Sequence, residues 1–171
     1  RAFQAARKED PKLAMAWWGE AFVLGPNINA PMMPEAVEPA LAALAKAVEL
    51  ARGAPAKDRA MIAALEKRYS ADPKAERAAL DAAFADAMKS VAAKYSGDDT
   101  ILALYAESIM DTQPWEYWEE GGAKPKGKTA EIIVPASASC DTRTATRATA
   151  AAKPKPGRSC GPAGRVRAGA R

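Results

Sequence analysis

The chain has 171 residues, with 25 Lys and Arg against 21 Asp and Glu, two cysteines and no histidine, a size that suits one domain. Its net charge of +4 is unevenly placed: residues 135–171 carry 8 basic and 1 acidic side chain, whereas residues 1–134 carry 17 and 20. That balance argues against a uniformly basic nucleic-acid-binding protein; the sequence also lacks any apolar run near the ~20 residues of a membrane span, and without histidine the commonest general base and metal ligand are missing.

Phe3 to Leu24, FQAARKEDPKLAMAWWGEAFVL, reads as the end of one helical hairpin, a tight Asp-Pro turn and the first helix of the next. Phe3 and Ala6 lie three apart on one face. Asp10-Pro11 breaks the helix, because proline lacks an N–H and restricts the residue before it. Trp17, Ala21 and Leu24 then recur at helical spacing, which predicts Trp17 in the core and Trp18 on the outer face. Since Arg1 already lies inside a helical pattern, an upstream part is expected to be missing.

Gly25 to Pro34, GPNINAPMMP, is a loop by its glycine, asparagines and prolines. Glu35 to Arg52 is the next helix, with Leu41, Leu44, Ala45, Val48 and Ala51 as its predicted stripe and Gly53 as its stop. Another runs from about Ala56 to Tyr69, burying Met61, Ile62, Leu65 and Tyr69. Asp72-Pro73 echoes Asp10-Pro11. The longest helix spans Lys74 to Tyr95 through Leu80, Phe84, Met88, Val91 and Tyr95. Ser96 to Asp99 then supplies capping oxygens for a helix over Thr100 to Met110, buried through Leu102, Tyr105, Ala106 and Ile109.

Asp111 to Glu120, DTQPWEYWEE, concentrates Trp115, Tyr117 and Trp118 after a helix end. Exposed, they would form a partner contact; folded back, they would plug the neighbouring hairpin, which is the favoured expectation. A polar loop, GGAKPKGK, leads to Thr129 and a helix start cut off by Pro135. Residues 135–171 hold one larger aliphatic residue, Val166, so a disordered tail is expected. Two readings of it stand. It is either a natural basic tail or out-of-frame translation beyond about Val134, and a helix abandoned after barely one turn favours the second.

Setting Pro11 as a repeat-terminal proline puts Phe3, Ala6, Trp17, Ala21 and Leu24 on the large and small positions of the tetratricopeptide consensus, about 34 residues long. Glu20 departs from its usual leucine. The wording of Arg1–Ala6, Asp10-Pro11, Ala14–Ala21, Gly25–Asn29, Met110–Trp118 and Lys126–Ile132 resembles a group of uncharacterised bacterial tetratricopeptide-repeat proteins. The resemblance covers roughly residues 1–134. It implies an all-α fold of antiparallel helical hairpins stacked as an α-solenoid, followed by the tail. Such proteins often begin with an export signal, which leaves the compartment unknown here. They typically continue with a segment containing histidine and tyrosine, which a chain without histidine lacks.

No phosphate-binding glycine loop, nucleophile elbow or H-E-x-x-H motif occurs. The Cys140 and Cys160 spacing is not that of a metal site, and Asp98-Asp99 suits capping better than calcium. The expectation is therefore a protein- or peptide-binding scaffold with no cofactor, metal or catalytic residues. Its groove is expected at Trp18, Asn27 and Asn29, with Trp115, Tyr117 and Trp118 as further contacts. Two rivals remain. One is an exported ligand-binding protein or enzyme with a pocket between loops 25–34 and 111–120, using Glu116 or Glu119. The other, ranked lowest, is nucleic-acid binding by the tail, which has no interleaved aromatics for base stacking.

Overall fold

An alanine-rich sequence with few β-branched residues favours helices that approach closely through small side chains, and the chain is helical. The computed structural model describes residues 1–119 and 121–133. Its helices are α1 (Ala2–Glu9), α2 (Ala14–Val23), α3 (Val37–Leu50), α4 (Ala56–Leu65), α5 (Arg77–Lys94) and α6 (Asp99–Asp111). Residues 129–133 are helical as well. No strand occurs among the described residues, only the isolated bridges Asn27–Ala30 and Trp118–Pro125. The expectations for the tail, including Cys140, Cys160 and Val166, lie outside the described residues.

The turns follow from local chemistry. Asp10 Oδ1 accepts the Lys12 amide at 2.9 Å, and Asp72 Oδ1 accepts the Lys74 amide at 2.9 Å. Both Asp-Pro turns are thus closed by the same side-chain bond, which offers the backbone an alternative to continuing the helix. At the start of α6, Asp98 Oδ1 accepts from Thr100 and Ile101 at 3.1 and 3.2 Å, satisfying two otherwise orphaned helix donors.

Sequence neighbours pack on one another. α2 lies against α1, α3 and α4, and α5 lies against α4 and α6. Met61, Ile62, Leu65 and Tyr69 are all buried, as are Leu102, Tyr105, Ala106 and Ile109. In α5, Phe84, Met88 and Val91 are buried while Leu80 and Tyr95 are only half-buried. The stripe of α3 differs from expectation. Ala40, Ala43, Leu44 and Ala47 form it, whereas Ala45 and Val48 face solvent. Close approach to α2 selects the alanine row, because a methyl group is all that fits where Ala21, Ala40 and Ala47 are each 0% exposed.

α1 docks through one ring. Phe3 lies directly over Gly19 of α2, where any Cβ would overlap the ring. This contact leaves Phe3 half-buried. Glu20 accepts from Gln4 Nε2 at 3.2 Å and pairs with Arg7 Nε at 3.0 Å, a polar clamp that joins α1 to α2.

Gly19→Ala therefore carries two opposed effects: about 1 kcal/mol gained in helix propensity, and about 1–3 kcal/mol lost by overpacking. A net loss is expected in the wild-type background. With Phe3→Ala already in place, the same change should turn stabilising. A double-mutant cycle by urea denaturation reads this directly, and an unchanged sign would show that Phe3 does not set the helix spacing.

Candidate functional site

A cleft of about 490 Å³ opens where α2 and α6 end. Phe22 and Val23 from the last turn of α2, the turn 25–29, Arg68 just beyond α4, and Glu107 and Met110 of α6 line it. Local chemistry shapes the turn. Asn27 and Ala30 exchange backbone hydrogen bonds at 2.9 and 3.1 Å, and Asn27 Oδ1 accepts the Asn29 amide at 2.9 Å. Gly25 is required by close approach, because a Cβ there would sit 2.5 Å from the Tyr69 hydroxyl. That hydroxyl donates to Ala21 O at 2.7 Å. Burial pushes the Tyr69 phenol up to about 12, so it stays a donor at neutral pH.

The floor of the cleft is Arg68, which is 1% exposed. Its Nη2 donates to Pro26 O at 2.8 Å and to Asp111 Oδ2 at 2.5 Å, and its Nε faces Asp81 Oδ1 at 3.8 Å. The guanidinium also lies over the rings of Phe22 and Phe84, 5.4 and 4.8 Å from their centroids. Arg77 shares Asp81 at 2.9 Å and donates to the Arg68 carbonyl. Burial pushes the Asp111 carboxyl up to about 6; the Arg68 charge opposes the shift and Glu107 adds to it. Desolvation outweighs the ion pair because both partners have left water.

Arg68 was not singled out in the sequence. It reads there as one of three exposed cations in EKR, and no local pattern announces a buried arginine. The only available signal was the set of acidic residues at inward positions of α5 and α6, Asp81 and Asp111.

The structure places the expected groove residues unevenly. Asn27 and Asn29 lie on the rim of the cleft. Trp18 does not belong to it: it is 6% exposed, stacks on Phe22 at 5.0 Å and donates its indole N–H to Met61 O at 3.2 Å. Trp17 is the half-buried one, bonded to Pro11 O at 3.0 Å and covered by Arg7 at 4.5 Å. The two tryptophans have exchanged their expected roles. α2 packs on three helices, so its buried arc is too wide for a single stripe to predict.

The aromatic segment lies apart from the cleft. Trp115 and Trp118 are 69% and 49% exposed, and Tyr117 is half-buried, so the expected plug is not formed by the two tryptophans. None of the three lines the cleft. The pocket expected between loops 25–34 and 111–120 therefore has α6 and Arg68, not the aromatic loop, as its second wall. Glu116 is exposed and paired with Lys126, which holds its carboxyl below the usual range, and Glu119 is exposed too.

Gln113 fixes this segment. Its Nε2 donates to Lys126 O at 3.2 Å and Thr129 Oγ1 at 3.0 Å, and its Oε1 accepts the Lys128 amide at 2.9 Å. Trp115 is held at φ 65°, a strained conformation for a bulky residue. Glu131 accepts from Tyr105 at 3.1 Å and pairs with Lys89 at 2.9 Å, seating residues 129–133 on α5 and α6. No helix among the described residues is long and apolar enough to cross a membrane. No protein-family model matches the chain, and neither a curated protein nor a solved structure is significantly similar to it.

Proposed function

We propose that the chain is part of a tetratricopeptide-like array of helical hairpins that binds a peptide or protein segment without catalysing a reaction. One observation carries the reading: the cleft spans the ends of α2 and α6 and the residue just beyond α4. Taking the helices in alternation, α2, α4 and α6 are the first helices of three successive hairpins. First helices line the concave face of such arrays. Apolar walls with a few fixed polar groups suit an extended segment. The packing of α2 on α1, α3 and α4 is what stacked hairpins require. The catalytic alternative is less well supported, since Glu116 and Glu119 are solvent-exposed and outside the cleft.

Selection from a phage-displayed library of random peptides tests the proposal. The chain should enrich a common sequence pattern, and Met110→Lys, which places a positive charge on a half-buried wall, should abolish the enrichment without lowering the melting temperature. Enrichment that survives Met110→Lys, or no enrichment at all, would overturn the cleft as the binding site.

A further inference from the structure

The charges around the cleft do not cancel. Arg68 would be the obvious receptor for an anion, but its Nη2 and Nε already face Asp111, Pro26 O and Asp81. Arg77 neutralises Asp81 in turn. Two guanidinium groups and two carboxylates thus balance beneath the floor. Glu107 is left over: a half-buried carboxylate on the lining that forms no ion pair among the described residues.

One further feature has the same sign. Phe22 and Val23 end α2 and Met110 lies in the last turn of α6, so both helices present the partly negative carbonyl ends of their dipoles towards the cleft. Phe22, Ile28 and Met110 supply apolar surface beside the charge.

We infer that the cleft takes a cationic side chain, Arg or Lys, of a peptide in which apolar residues flank that cation. The inference rests on the peptide-binding reading above and specifies its ligand. Glu107 accepts the cation's N–H groups, the flanking aliphatic residues cover Ile28 and Met110, and the cation's own methylene stem lies along Phe22. An acidic segment is disfavoured, because it would leave two carboxylates facing each other at low dielectric.

Three acetylated and amidated pentapeptides, Ala-Leu-X-Leu-Ala with X as Arg, Gln or Glu, test this by titration into the isotope-labelled chain followed by NMR. The Arg peptide should shift the amides of residues 27–29 and 107–110 and bind about tenfold more tightly than the Gln peptide, with the Glu peptide weakest. Glu107→Gln should erase the difference between Arg and Gln peptides while leaving Gln-peptide binding unchanged, and added salt should narrow it in the parent chain. Equal binding by all three, or tightest binding by the Glu peptide, overturns the cation preference but leaves the peptide groove standing. Failure of all three to perturb the cleft overturns both. The peptide series on the unaltered chain decides the matter even if Glu107→Gln proves unstable.

Discussion

Replacing Trp18 by alanine is expected to cost about 3–5 kcal/mol of folding free energy, read as a large fall in the urea midpoint at unchanged slope. Trp18 is 6% exposed, stacks within 11° of parallel on Phe22 and donates to Met61 O. The change removes the indole that joins α2 to α4 through Met61 O, and alanine cannot fill the space it leaves. Phe22 also loses its stacking partner, so the damage extends to Phe84, 6.4 Å from Phe22. Trp17→Ala should cost far less, about 1–2 kcal/mol, since that ring is only half-buried at the edge of the core, with Arg7 over one face. A result in which Trp17 costs more than Trp18 would restore the roles the sequence predicts and reverse the packing of α2. Against a total stability of about 5–15 kcal/mol, the Trp18 variant also stands as a control for binding assays: any loss of ligand there reports unfolding, not contact.

Why the sequence misassigns these two residues is a matter of geometry. Period-3.6 reasoning finds a face most readily when a helix packs mainly on one neighbour, and it located the stripe of α6, which lies against α5, for that reason. Helix α2 has three neighbours, so Ala14, Ala16, Trp18, Gly19 and Ala21 are buried across several faces. Helix α3 misleads differently. Its larger aliphatics suggest Val48, but the short spacing to α2 is set by Ala40, Ala43 and Ala47. Asn27 and Asn29 could be placed on a loop, and their loop does border the cleft. The opposing wall could not be foreseen, because Arg68 and Glu107 come from chain segments with no shared local pattern. The aromatic loop was legible as unusual, yet its exposure depends on Gln113 bonding to residues 126, 128 and 129.

Arg68→Met should destabilise the chain by about 3–5 kcal/mol at pH 7, because it leaves Asp111 and part of Asp81 buried without their cation. The arginine joins the 25–29 turn, α5 and α6 through Pro26 O, Asp81 and Asp111, so the loss should loosen the cleft as well as the core. Removing the charge on both sides gives the sharper test. Arg68→Met combined with Asp111→Leu should recover most of the loss, since a fully apolar replacement no longer strands a carboxylate. Acidity should do part of the same work. Asp111 is raised from 3.8 to about 6 in the folded chain, so its folded form holds a proton over a range where the unfolded form has released it. That contribution is fully present below the unfolded value and is lost as pH rises through the folded one. Without the guanidinium, which lowers the Asp111 value, the folded carboxyl climbs further and the window widens towards neutrality. The cost of Arg68→Met, taken as the difference from wild type in urea unfolding, should therefore shrink from pH 7 to pH 5. A cost that grew instead would mean that the Asp111 carboxylate is held ionised by something other than Arg68, and the ion pair would lose its place as the element on which the cleft floor depends.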